Sequence, residues 1–330
     1  MRAEVVIVGF RNAEEIRDCL LALDKSTYAD FGVHICENGG PAAYDALCAA
    51  VASISDGLTT GTPAGRVVAR HAATLKGSGR EIKLHQANGN IGYAAGINVC
   101  LEAIIADGRY QFVWVLNPDT VPEPEALAAL AAHQQAGGYG IVGARLVLKG
   151  QGKIQLYGAR WRTWIARGYN IGLGAPADAT PDVAAIEREL DYVAGAAMFV
   201  PRAYVEQVGY FDERYFLYYE ETDWCFRRGA FRLGYAHGAI VHHAHGSTIG
   251  SSVVRKTRSP LAVYLDERNK LLFSRRFRPG HYPVVMLTTL LLIGQYAKAG
   301  AWSNFKVALA GWFAGVRGET GVPERFKPKG

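Results

Sequence analysis

The sequence predicts an α/β fold: a mostly parallel sheet flanked by helices, followed by a helical C-terminal appendage. Three observations predict it. Short apolar runs alternate with amphipathic helical patterns through the first half, as repeated βα units do. Polar or glycine-rich stretches follow several of those runs, where ligands bind on parallel sheets. From Pro260 onward the pattern turns helical, basic and apolar.

Taken in order, residues 5–9 form a continuous apolar run, as a strand buried on both faces requires. Asn12 then reads as a helix cap with Glu15 three residues on, a capping-box spacing. Ile16, Cys19, Leu20 and Leu23 fall on one helical face. Residues 33–36 read as a second strand, and Tyr44, Leu47, Cys48 and Val51 as the apolar face of a second helix. Residues 55–80, rich in Gly, Thr, Ser and Ala, read as a long loop or insertion. A third strand is expected at 82–85, a helix through Ile97, Leu101, Ile104 and Ile105, and a buried strand at 112–116. Pro122 and Glu123 are expected to open a further helix. The second half is less regular: a strand at 192–200, a short helix at 202–208, a helix start at 221–228 and a short strand at 239–241.

The 330 residues suit a main domain with an appendage, and 49% hydrophobic against 20% charged residues suits a globular core. The five cysteines form no CxxC pair, so a reduced, cytoplasmic chain is expected, and no signal peptide is evident at the N-terminus. The net charge of +6 favours anionic partners. Nucleic acid is not expected, because no reader motif is present and the late cations lie beside apolar stretches. A nicotinamide dehydrogenase is disfavoured, since the glycine-rich run does not follow the first strand.

Four stretches carry candidate chemistry. Asn117-Pro118-Asp119 ends a strand; Asp119 there can hold Mg²⁺ or Mn²⁺ against two phosphates, or the tripeptide is a plain turn. Residues 88–98 hold three glycines and three asparagines before a helix, which suits close backbone approach to an anion or a tight unliganded loop. Glu220, Glu221 and Asp223 crowd between aromatics; such carboxyls raise one another's pKa toward that of a general base, though acids also simply favour helix starts. His237, His242, His243 and His245 lie close in sequence; one could join a carboxylate-held divalent ion, while a structural zinc site lacks ligands.

In their order and spacing these pieces resemble family 2 glycosyltransferases, especially the rhamnosyltransferase-like branch, from about Val5 to Arg278. The resemblance implies a Rossmann-like nucleotide-binding sheet of the GT-A type and inversion at the anomeric carbon. It implies a catalytic domain over 1–259, with a donor half to about 120 and an acceptor half to 259, and a C-terminal region over 260–330. Gly9, Phe10, Arg11 and Asn12 match the first-strand loop that touches the nucleotide. Glu37-Asn38 match an Asp-Asn pair facing the base. Asn88, Gly92, Tyr93, Gly96 and Asn98 lie in the family's NxGxxxGxN loop beside the donor. Asn117 and Asp119 occupy the DxD position, with Asp119 as the metal ligand. Gly195 and Ala196 resemble the loop beneath the acceptor, with Trp224 also on that side. The stretch from Gly209 through Phe211-Asp212-Glu213 to Arg227 resembles the FDE…YxEDxDxxxR segment. That places the base at Glu221, with Asp223 as the backup and Glu220 beside it. His242 or His243 would join the metal, with Ser247 completing the match.

The implied partners are a nucleotide-diphosphate sugar donor, Mn²⁺ or Mg²⁺, and a glycan or polyprenyl-linked acceptor. Asn117 and Glu221 depart from the commonest pattern, so the alternative is a catalytically silent nucleotide-sugar-binding or scaffold protein. The apolar stretches at 284–294 and 307–316, with Arg275, Arg276 and Arg278 upstream, are too short to span a bilayer. They read either as amphipathic helices on the inner face of the cytoplasmic membrane, or as helices packed onto the catalytic domain or into a homodimer.

Overall fold

The computed structural model describes residues 1–244, 254–323 and 326. Its first half comprises β1 (Ala3–Gly9), α1 (Ala13–Asp24), β2 (Phe31–Glu37), α2 (Pro41–Ile54), β3 (Thr59–Gly61), β4 (Val67–Thr74), β5 (Glu81–Ala87), α3 (Tyr93–Asp107) and β6 (Phe112–Leu116). Strands β5, β2, β1 and β6 lie side by side and parallel. Every residue of β1, β2 and β6 is buried, as expected where helices cover both faces of a sheet. The chain first winds outward from β1 to β2 and β5, then returns to place β6 on the other side of β1. On such sheets the ligand crevice lies at a reversal of this kind, here beyond the carboxyl ends of β1 and β6.

The region expected to be a loop at 55–80 instead contributes β3 and β4: β4 pairs antiparallel with β5, and β3 antiparallel with β4 at the sheet edge. Its small and polar residues hid the strands, because an edge hairpin buries little and needs no apolar run. The expected capping box at Asn12 does not form. Asn12 Oδ1 accepts from the Phe10 N–H at 3.0 Å, and its Nδ2 donates to Glu15.

The chain continues through β7 (Thr120–Pro122), α4 (Ala126–Gly137), β8 (Ile141–Leu148), β9 (Lys153–Leu156), β10 (Gly158–Arg162), β11 (Arg167–Ile171), α5 (Val183–Glu189), β12 (Ala197–Pro201), α6 (Arg202–Val208), α7 (Glu220–Phe226) and β13 (Leu233–His243). Pro122 therefore ends a short strand rather than opening a helix. Pairing of β7 with β13 overrides the local signal. The sheet extends from β6 through β12, β8 and β13 to β7, and β10 and β11 form a separate hairpin.

The C-terminal region forms α8 (Pro260–Phe277), α9 (Tyr282–Lys298) and α10 (Trp302–Arg317). Gly311 and Gly315 let α10 approach α8 closely; a methyl on Gly315 would lie 2.7 Å from the Arg268 carbonyl oxygen. Arg276, one of the cations expected to face a membrane, instead pairs with Asp212 at 2.7 Å and Asp223 at 2.8 Å. Helix α8 is thus joined to the main domain. All five cysteines are free, and four are buried.

One buried pair sets a pH dependence. His34 Nδ1 and His85 Nε2 lie 3.2 Å apart inside the sheet, with Glu4 3.7 Å from His34. Burial, then neighbouring positive charge, pushes His85 down to about 3, and His34 is likewise lowered by burial and by His85. The unfolded chain takes up these protons near pH 6.5, whereas the folded chain does not. The stability is therefore whole above pH 6.5 and is lost as pH falls toward 3, at up to about 1.4 kcal/mol per group per pH unit. In urea titrations at pH 7.5 and 5.5, wild type is expected to lose about 1 kcal/mol more than His85→Gln. Equal losses in the two proteins would sink this account.

Candidate active site

The crevice is built from the ends of β1, β2 and β6, from the start of α3, and from the segment leading into α7. At the end of β2, Glu37 is fully buried, and its Oε1 accepts from the backbone N–H of Gly39 at 2.6 Å and Arg11 at 3.1 Å. Burial raises this carboxyl, against the pull of those two donors. Its Oε2 has no hydrogen-bond partner. Arg11 holds a left-handed φ of 59°, which turns the Phe10–Asn12 loop across the top of β1. Gly9 packs against Glu37, so that a Cβ there would press on the Glu37 carboxylate and on Ile16 at 2.8 Å.

Asn38 donates to the Gly92 carbonyl at 2.9 Å, so it anchors the 88–98 loop. Gly92 has φ 92°, and a side chain there would collide with Phe216. Gly96 lets α3 lie against Val8, 2.7 Å from where its Cβ would be. Asn98 is buried and bonds the Phe211 backbone through both ends of its amide, at 2.9 Å each. Within this motif, then, Asn38, Gly96 and Asn98 hold the protein to itself. Asn88 is exposed on the same loop.

Tyr93 joins the halves of the site. Its N–H donates to Phe216 O at 2.7 Å, and its hydroxyl donates to Asn117 Oδ1 at 2.8 Å. Burial raises the Tyr93 phenol well above its usual value, and the charges of Glu220, Glu221 and Asp119 raise it further. Those three acids thus lie around one phenol. Asn117 N–H donates to Ala196 O at 3.0 Å, which brings in the 195–196 loop. Gly195 lies against the Glu221 side chain, where an added Cβ would be 3.2 Å from Glu221 Cβ.

Asp119 Oδ1 lies 3.2 Å from His243 Nε2, and both side chains are 8% exposed. His243 Nδ1 faces Gln155 Oε1 at 2.8 Å. A carbonyl oxygen can only accept, so Nδ1 donates to Gln155, and in the neutral form of that ring Nε2 would offer its lone pair on the side of Asp119. A lone pair and a carboxylate side by side fit a divalent cation, with Gln155 orienting the imidazole. His242 points to the opposite face of β13, as strand alternation requires, and meets Glu123 at 3.1 Å near the surface. His237 bonds Tyr235 at 2.9 Å, away from Asp119's partners. His245 and Ser247 lie outside the described residues. Among the described residues no cluster of three or more His, Cys, Asp or Glu could hold a metal by itself.

The acidic segment sorts into distinct roles. Burial, then the charge of Glu221, pushes the Glu220 carboxyl well up; burial raises Glu221 as well. Both have an Oε2 without a hydrogen-bond partner. Asp223, the backup base of the sequence reading, is fully buried among Arg227 at 2.5 Å, Arg276 at 2.8 Å and Tyr215 OH at 3.2 Å. It is an internal ion-pair anchor, closed to an acceptor. Trp224, expected on the acceptor side, is also fully buried; its Nε1 donates to Gly209 O at 2.8 Å and its ring packs on Phe211. Both corrections follow from helix geometry, which turns positions 223 and 224 inward from 221.

The segment before α7 is strained. Phe216, Tyr218 and Tyr219 have φ of 66°, 69° and 76°. Each costs about 1–2 kcal/mol for a residue with a side chain. Helix α8 holds this shape. Asn269 Nδ2 reaches the carbonyls of Tyr215, Leu217 and Tyr218 at 2.8–2.9 Å, and buried Arg268 donates to Tyr215 O at 3.0 Å. Sequence reasoning missed Asn269. The available signal was a polar residue on the helical face of Leu265 and Phe273. Asn269→Ala is expected to lower kcat about 10- to 100-fold and to raise donor KM as well, since the turn it holds carries both Phe216, which anchors the 88–98 loop, and the approach to Glu221. Steady-state kinetics beside a thermal melt would test this; a KM effect alone would refute it.

No protein-family model matches the chain. A curated relative, the low-salt glycan biosynthesis hexosyltransferase Agl10 of Haloferax volcanii, is 27% identical over 252 residues, covering 74% of this chain and 79% of the relative. Among solved structures, mannosyltransferase PcManGT from Pyrobaculum calidifontis in complex with GDP-Man and Mn²⁺ aligns with TM-score 0.53 at 11% identity, over 96% of this chain and 87% of that one. TarS 1-349 of S. aureus in complex with UDP-GlcNAc aligns with TM-score 0.52 at 12% identity, over 99% and 98%. The architecture of this chain, with its mostly parallel central sheet and flanking helices, is therefore a GT-A type fold.

Proposed function

We propose that this chain is an inverting, divalent-metal-dependent glycosyltransferase of the family 2 type. It would move a hexose, rhamnose or a related sugar, from a nucleoside-diphosphate donor to a hydroxyl of a glycan or polyprenyl-linked acceptor. One observation carries the reading: Tyr93 brings the Asp119–His243 pair and the Glu220–Glu221 pair around a single crevice beyond β1 and β6. The likeness to a hexosyltransferase, and to a mannosyltransferase bound to GDP-Man and Mn²⁺, supports it.

The roles follow from chemistry. Glu37 and the Phe10–Asn12 loop would face the nucleoside. Asp119 and His243 Nε2 would hold Mn²⁺ or Mg²⁺, which neutralises charge on the departing diphosphate. Glu221 would take the proton of the acceptor hydroxyl as its oxygen bonds the anomeric carbon. The bond from that carbon to the diphosphate oxygen breaks on the opposite face, so the centre inverts. Burial that raises the Glu221 carboxyl brings it nearer the value a base needs at neutral pH.

A panel of nucleotide sugars, assayed for binding and hydrolysis with and without Mn²⁺ or Mg²⁺, tests the proposal. Metal-dependent use of one donor is expected. Metal-dependent binding with no transfer to any acceptor would instead favour a silent nucleotide-sugar-binding protein.

A further inference from the structure

We infer that the outer face of α9, with the turn between β10 and β11, docks on an anionic membrane surface. Val284, Leu287, Leu290 and Leu291 are all exposed on one side of α9, Leu291 at 69%. Their spacing is helical, and no charged residue interrupts α9 before Lys298. Trp164, 58% exposed, extends the patch: its carbonyl accepts from Thr288 at 2.6 Å and its ring meets His281 at 4.6 Å. No described helix is long and apolar enough to cross a bilayer, so the face would lie on the surface.

The charge pattern selects the occupant. Residues 158–177 carry three Lys/Arg and no Asp/Glu, and residues 268–318 carry eight and none. Arg268, Lys270 and Arg276 are spent internally. Arg162 and Arg167 are exposed on either side of Trp164, and Lys298 is exposed at the end of α9. Cations beside an apolar, tryptophan-bearing face complement acidic headgroups over acyl chains. A second copy of the chain would press those cations against their own kind, with no acid from either segment to answer them.

The docked face also adjoins the catalytic segment. Tyr219, directly before Glu220, donates its hydroxyl to Ala166 O in the same turn as Trp164, at 3.1 Å. A lipid-anchored acceptor would thereby meet Glu221 from the membrane side; that step rests on the glycosyl-transfer reading, whereas the docking does not.

The test is co-sedimentation of the full chain with phosphatidylcholine vesicles with and without phosphatidylglycerol, in the absence of donor. Binding is expected to be about tenfold or more stronger to the anionic vesicles, to weaken with salt, and to fall about tenfold or more in Leu287→Gln/Leu291→Gln. Trp164→Ser is expected to weaken it by a smaller factor. An unchanged melting temperature and donor hydrolysis in the double variant would show that its fold and site persist. Absence of binding, or equal binding by the variants, would overturn the inference. So would a wild-type dimer in light scattering that becomes monomeric in the double variant, because α9 would then be a homodimer face.

Discussion

Asp119→Ala is expected to abolish metal-dependent donor binding and to lower kcat/KM about a thousandfold or more. The carboxylate stands just beyond the end of β6, beside the crevice where strand order reverses, and its Oδ1 faces His243 Nε2. Among the described residues, removing it leaves only the His243 imidazole at that position, a poor ligand for a hard divalent cation. The two histidines should then separate. His243→Ala is expected to cost about 100-fold or more, above the roughly 10- to 100-fold typical of losing only a group that supports a ligand. His242→Ala should leave turnover nearly unchanged, because that ring meets Glu123 on the other face of β13. Titration of donor in the presence of Mn²⁺, beside kcat/KM for all three variants, decides the matter. Undiminished donor binding by Asp119→Ala would remove the metal role assigned to it. A large loss in His242→Ala with none in His243→Ala would reverse the assignment.

Glu221→Gln is expected to lower kcat about 10²- to 10⁴-fold with donor affinity retained, the effect of losing a general base. Glu220→Gln is expected to keep most activity. Burial and the charge of Glu221 push the Glu220 carboxyl well up, toward the neutral acid that the amide resembles. The pH profile carries the same information. A base must be ionised to accept a proton, and burial raises Glu221 above its usual 4.5. Activity should therefore be whole on the alkaline side and fall, as pH drops, at a point above 4.5. Stopped assays across pH with saturating donor would check both statements. Full activity in Glu221→Gln with loss in Glu220→Gln would exchange the two roles.

Most of the parallel half of the fold was legible in the sequence. Strand β6 and helix α6 fall where the apolar pattern places them, and β1, β2 and β5 differ by only a few residues at their ends. These elements are buried on regular faces, so the alternation of side chains is set by local periodicity. The stretch from 139 to 190 was not legible. Its strand β8 runs between β12 and β13, far along the chain, while β9 folds back on β8 and β10 on β11 as short local pairs without an alternating apolar pattern. No local period reports such a pairing.

Local pattern alone set out the order of βα units, the Asn-Pro-Asp turn at 117–119, the crowded acids at 220–223 and the charge of the C-terminal segments. Only the tertiary structure decided which of those groups work together. It placed His243 rather than His242 against Asp119, because β13 pairs with β7 in one register and side chains alternate across a strand. It turned Asp223 and Trp224 into the core and left Glu221 against Gly195, because α7 begins after three residues in left-handed conformation. It also made α8 part of the site, since Asn269 supplies the hydrogen bonds that hold this strained turn. Composition and spacing act over a few residues, whereas register, helix rotation and backbone strain are settled by contacts between distant segments.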